Sequence, residues 1–81
     1  MPRSIYSPAY RRLCTFLVQA RKSKDLTQAD LADRLGRPQS FVSKYERGQR
    51  RLDVVEMIEI AEVLKIDPHK ILNAVLDARP Q

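Results

Sequence analysis

The sequence predicts an all-α fold, five helices around one core, and three observations carry the prediction. Apolar residues recur at helical spacing in five separate stretches, capping and turn residues punctuate those stretches, and no segment alternates with the period of two that a half-buried strand requires. A chain of 81 residues can bury one modest core and is too short for two. One domain over residues 9–77 is therefore expected, with residues 1–8 as an N-terminal arm and 78–81 as a tail.

The first helix is expected from about Pro8 to Lys22, where Leu13, Phe16, Leu17 and Ala20 repeat at helical spacing, and Ser23, Lys24 and Asp25 form the connection. The second spans Gln28 to Leu35. Thr27 caps it, Asp30 three residues later completes a capping box, and Ala29, Leu31, Ala32 and Leu35 supply the apolar stripe. Gly36 then falls where a helix ends in a left-handed residue, which glycine adopts without the steric cost of a Cβ. Pro38 sits in or just before a new first turn, where a missing N–H costs nothing, so the third helix runs from Gln39 to about Arg47 with Val42 and Tyr45 facing inward. Gly48 is placed to end it. Two short helices joined by a glycine turn make a helix-turn-helix.

Asp53 with Glu56 makes a second capping box, followed by Met57, Ile60, Ala61 and Leu64 at i, i+3, i+4 and i+7, so the fourth helix covers about Val54 to Leu64. Asp67 followed by Pro68 starts the fifth, which continues through Ile71, Leu72, Val75 and Leu76 and ends near Asp77.

Composition restricts the function. Hydrophobic residues are 43% and charged residues 31% of the chain, a globular balance, and no apolar run approaches the length of a membrane span. Residues 1–51 hold twelve lysines and arginines against four acids, a net +8, whereas residues 52–81 hold three against six, a net −3. One side of the molecule is thus a cation suited to phosphates, and the other a mildly acidic body that would face away from them. The N-terminal stretch has no continuous apolar core of a signal peptide and a single cysteine cannot form an internal disulfide, so a cytoplasmic location is expected.

The segment Leu26 to Gly48 resembles the Xre family of phage-repressor and Cro-like DNA-binding domains, whose pattern is close to L-T-Q-x-x-L-A-x-x-x-G-x-x-x-x-x-I/V-S-x-x-E-x-G. The match falls on Leu26, Thr27, Gln28, Leu31, Ala32, Gly36, Val42, Ser43, Glu46 and Gly48, ten positions in all, and the likeness extends from Tyr10 to about Leu76. It implies a phage-repressor-like DNA-binding domain: a sequence-specific transcriptional regulator that binds double-stranded DNA as a homodimer, with repression favoured because a bound dimer can block polymerase. The expected operator is palindromic, with half-sites about one helical turn, roughly 34–36 Å, apart.

The third helix is then the recognition helix, whose exposed N-terminal residues enter the major groove. By the resemblance, Gln39, Ser40 and Lys44 match base-contacting positions; Gln39 suits adenine N6 and N7, and Lys44 suits guanine O6 and N7. Ser43 on the same face, and Arg37, Arg47, Arg50 and Arg51 beside the helix, are placed for the phosphate backbone. Gln28 lies in the first turn of the second helix, where free N–H groups and the helix dipole favour an anion; it serves a phosphate or only the helix start. Arg3, Arg11 and Arg12 add backbone contacts or are simply solvated. Phe41 suits either a thymine methyl or a place shielding sugar and flanking the core. Arg21 and Glu46 match a partly buried ion pair of the family.

Catalysis has little support. Cys14 lies beside the core stripe and His69 in the first turn of the fifth helix; one of each cannot make a tetrahedral zinc set, and no phosphate-cradling glycine loop appears. No enzyme activity, metal, cofactor, small-molecule effector or membrane partner is expected. The competing reading is an antitoxin or protein-interaction adaptor on the same fold, with DNA binding secondary. For a dimer, Ile58, Val63, Ile71 and Val75 are apolar positions beyond what one core face needs; the alternative is a thicker core.

Overall fold

The computed structural model describes residues 7–79, so Arg3 and the arm before Ser7 lie outside the described residues. Five helices appear in the order α1 (Pro8–Ser23), α2 (Gln28–Leu35), α3 (Gln39–Glu46), α4 (Val54–Leu64) and α5 (Pro68–Ala78), with no strand among the described residues.

Local chemistry sets the boundaries. Ser7 Oγ accepts from the Tyr10 N–H at 3.1 Å and starts α1. At α2 the box is reciprocal: the Asp30 N–H donates to Thr27 Oγ1 at 3.0 Å and the Thr27 N–H to Asp30 Oδ2 at 2.9 Å. That removes two of the unpaired donors every helix start leaves. Gly36 closes α2 at φ 69°, a left-handed conformation that carries a steric cost for any side chain. Pro38 precedes α3 in extended geometry with no side-chain cap, and Gly48 follows it at φ 74°. The helix stops at Glu46, one residue short of the expected end, and Arg47 caps it. Asp53 and Glu56 form the second box, and Asp67 accepts from the His69 N–H above Pro68.

α1 packs chiefly on α5 and α2 on α3, while α4 bridges α2 and α5. Leu17, Leu31, Val42, Tyr45, Ile60, Leu64 and Ile71 are fully buried where these helices meet. Tyr45, the largest of them, has its hydroxyl sealed in the core without a hydrogen-bond partner among the described residues, and burial pushes that hydroxyl above the ordinary tyrosine range. Cys14 is equally enclosed, its thiol donating to the Tyr45 carbonyl at 3.2 Å.

Two apolar expectations need correction. Ala29 faces solvent, because α2 turns only its Leu31–Ala32 side to the core and leaves Leu35 half-buried. Ile71 is 0% exposed, a central core residue unavailable to any partner, on a helix that packs chiefly against α1. Val63 and Val75 are half-buried against the core. The large apolar residues left open among the described residues are Val54, Val55 and Ile58 on α4, and Leu72 and Leu76 on α5. No helix among the described residues is long and apolar enough to cross a membrane.

Candidate nucleic-acid interface

α3 is divided cleanly between inside and outside. Phe41, Val42 and Tyr45 are buried, with the Phe41 and Tyr45 rings edge-to-face at 5.5 Å between centroids. Gln39, Ser40 and Lys44 are exposed, and Ser43, half-buried, donates its hydroxyl to the Ser40 carbonyl at 3.3 Å. The exposed row therefore holds an amide, a hydroxyl and an ammonium, a set able to donate to or accept from base edges.

The C-terminal end of α3 is locked by a buried carboxylate. Arg21 of α1 donates through Nε to Glu46 Oε2 at 2.8 Å and through Nη2 to Oε1 at 3.1 Å, a two-pronged pair in which the side chains are 9% and 5% exposed. Its Nη1 donates to the Leu26 carbonyl at 2.7 Å, and Gln28 Nε2 donates to Glu46 Oε1 at 2.9 Å. The hydrogen bonds to Glu46 hold the Arg21 guanidinium above its already high value. α1 and the start of α2 thus meet the end of α3 at one carboxylate, and Arg21 also ties in the loop before α2. Because every partner is satisfied, the buried charge on α3 is matched within the protein.

A second carboxylate serves the other side of α3. Arg50, in the loop after α3, donates through Nη1 to Glu56 Oε1 at 2.9 Å and through Nη2 to Oε2 at 2.8 Å, and its Nη1 also donates to the Arg51 carbonyl. Arg37, in the glycine turn, places Nη1 3.5 Å from Glu56 Oε2 and Nη2 3.5 Å from Glu59 Oε1. Both guanidiniums lie over the Phe41 ring, at 4.5 Å for Arg37 and 4.8 Å for Arg50. Phe41 is therefore the apolar floor of a cationic site, 7% exposed, and the thymine-methyl alternative has no open ring face behind it. Arg50 in the first place, and then the Asp53 N–H, hold the Glu56 carboxyl down to about 2.

The loop carrying these arginines is pinned to α1. The Tyr10 hydroxyl donates to the Arg50 carbonyl at 2.8 Å and accepts from the Leu52 N–H at 3.0 Å, while Arg51 lies 5.2 Å over the Tyr10 ring. Arg47 is exposed beside the end of α3. Arg11 and Arg12 are exposed on α1, Arg12 lying 6.0 Å from the Phe16 ring. Of the residues expected from the sequence, Gln39, Ser40 and Lys44 are exposed on α3, and Arg37 from the turn and Arg50 from the following loop meet over Phe41. What the sequence did not reveal is that Glu56, Phe41 and Tyr10 hold those arginines and their loop. The Asp53–Glu56 spacing signalled a cap, and nothing along the chain links it to Arg37 or Arg50. His69 is exposed on α5 with its ring against Asp67, remote in role from buried Cys14.

Comparison with known proteins agrees with this geometry. A helix-turn-helix family model matches residues 17–71, more than half of the chain. Among solved structures the chain is similar to an XRE-family like protein from Pseudomonas syringae pv. tomato str. DC3000, at 43% identity over 89% of this chain and 88% of that one, with a TM-score of 0.81. It is also similar to the restriction-modification controller protein C.AhdI from Aeromonas hydrophila, at 32% identity over 76% of this chain and 94% of that one, with a TM-score of 0.71. The clp gene regulator ClgR from Corynebacterium glutamicum shares the fold at 19% identity over 85% of this chain and 73% of that one, with a TM-score of 0.77. No curated protein matches the chain.

Proposed function

The chain belongs to the XRE family of helix-turn-helix proteins and is a DNA-binding transcriptional regulator; from that premise we propose that it acts as a homodimeric, sequence-specific repressor in the cytoplasm. The observation that carries the specific reading is the exposed row Gln39, Ser40 and Lys44 on a helix whose other side is core. Those three residues read base edges in the major groove, each good pair discriminating by about 1–3 kcal/mol. Ser43, Arg47 and Arg51, with Gln28 at the start of α2 and the paired Arg37 and Arg50, position the helix on phosphates.

A single eight-residue helix spans few base pairs, so specificity calls for a second copy. The dimer face is the open apolar surface of α4 and α5, where Val54, Ile58, Leu72 and Leu76 are exposed and a groove of about 240 Å³ runs between Val54 and Met57 of α4, Leu72 and Val75 of α5, and Tyr10 and Leu13 of α1. Of the four positions the sequence suggests for this face, Ile58 is exposed and half-buried Val75 lines the groove. The face also suits a protein partner, the basis of the antitoxin or adaptor alternative. Selection of bound sequences from a random duplex pool near physiological salt separates the two. An enriched palindrome establishes dimeric readout; salt-sensitive binding with no enriched sequence removes the sequence-specific reading in favour of the partner-binding one.

A further inference from the structure

We infer that Glu56 is a positioning residue for DNA binding: it fixes the Arg37 and Arg50 guanidiniums over the Phe41 ring, presetting two cations beside α3 for the phosphates that flank the groove. The inference rests on the DNA-binding reading above.

A carboxylate beside a phosphate-binding surface is electrostatically unfavourable, so its presence calls for a reason. Capping α4 is an insufficient one, because the Asp53 N–H needs only an oxygen acceptor and a glutamine would supply it. What the charge adds is the grip on arginine. Arg50 meets both oxygens in a fork, and the oxygen that takes its Nη2 also faces Arg37 at 3.5 Å, so one carboxylate gathers side chains from the turn before α3 and the loop after it. Phe41 supplies a flat floor beneath both. An arginine side chain has much rotamer freedom to lose on meeting a phosphate, and a guanidinium already held in place has lost that freedom before DNA arrives. Donors remain for the purpose: the two side chains are 35% and 40% exposed, and Arg50 Nε–H makes no hydrogen bond among the described residues.

Net charge makes the inference testable by sign. Glu56→Gln adds one positive charge to a DNA-binding protein, so electrostatics alone gives tighter binding, whereas lost positioning gives weaker binding. Glu62→Gln makes the same charge change at an exposed residue of the same helix that forms no ion pair among the described residues. Duplex affinity of the full chain is measured for the parent and both variants across a salt series, below each variant's melting temperature. We expect Glu56→Gln to bind about five- to tenfold more weakly, with a salt slope shallower by about one to two, and Glu62→Gln to bind as tightly as the parent or more so. Glu56→Gln binding as tightly as the parent, or tighter, overturns the inference. If that variant does not fold, Phe41→Leu replaces it, keeping Glu56 and both arginines while removing the aromatic floor; the same weakening supports the inference and parental affinity overturns it. A parent that shows no salt-dependent duplex binding overturns the DNA-binding reading itself, and this inference with it.

Discussion

Two carboxylates flank α3, and they differ in what they leave for a ligand. Glu46 gives both oxygens to Arg21 and Gln28 inside the protein, where the ion-paired side chains are under a tenth exposed. Glu56 grips Arg50 and Arg37, whose own side chains stay more than a third open to solvent. The first arrangement consumes its cation to hold helices together. The second orders its cations and keeps them available. A charge near a DNA-binding helix therefore cannot be assigned to fold or to ligand from its sign alone; the exposure of its partner decides.

The largest effect expected of this contrast is at the inner centre. Arg21→Ala leaves the Glu46 carboxylate buried with only the Gln28 amide, and breaking a buried pair from one side costs about 3–5 kcal/mol. Urea denaturation measures it. A loss under about 1 kcal/mol, the range of exposed pairs, would erase the distinction between the two centres. Arg21→Met with Glu46→Leu sharpens it, because removing both charges leaves no orphan and should cost less than Arg21→Ala alone.

The outer centre responds to acid. In the folded protein the Glu56 carboxyl is held at about 2, against 4.5 for an ordinary glutamate, so folding favours its ionised form. The stabilisation is fully present above pH 4.5 and is lost as pH falls from there towards 2. With Arg50 partly open to solvent, the loss is on the order of 2 kcal/mol. Thermal melts of the parent and of Glu56→Gln between pH 2 and 5 check it: the parent should lose more stability on acidification than the variant. Equal slopes would mean that Glu56 is not held by the arginines in solution.

The same division explains what was legible in the sequence. Helix starts and stops depend on residues within four of one another, so Thr27 with Asp30, Gly36, Asp53 with Glu56, and Asp67 with Pro68 all announced their helices. The Arg21–Glu46 pairing, which links residues 25 apart, was legible only through family resemblance. Gripping Arg37 and Arg50 together adds to the local Glu56 cap a meeting of the turn before α3, the loop after it and α4, which no spacing encodes. Apolar faces were misjudged for a related reason. Ile71 and Leu72 are equally apolar neighbours on α5, and only the packing of that helix against the others buries the first and leaves the second 46% exposed.

The smallest expected effects separate reading from positioning on the outer surface itself. Lys44 is exposed on α3 and Arg47 is exposed just past its end; neither forms an ion pair among the described residues, so replacing them disturbs neither carboxylate centre. Stability should stay within about 0.5 kcal/mol of the parent in both. Lys44→Ala should lose about 1–3 kcal/mol of discrimination at one base position of the selected site while its affinity for unrelated duplex changes little. Arg47→Ala should instead weaken all sequences alike and reduce the salt slope by about one, since a phosphate contact releases a counterion whatever the base beside it. Competition titrations with single-base variants of the operator distinguish the two. Matching profiles for Lys44→Ala and Arg47→Ala would mean that the exposed row of α3 carries charge rather than sequence information, and the specificity would then have to reside in Gln39 and Ser40 or in the deformability of the DNA.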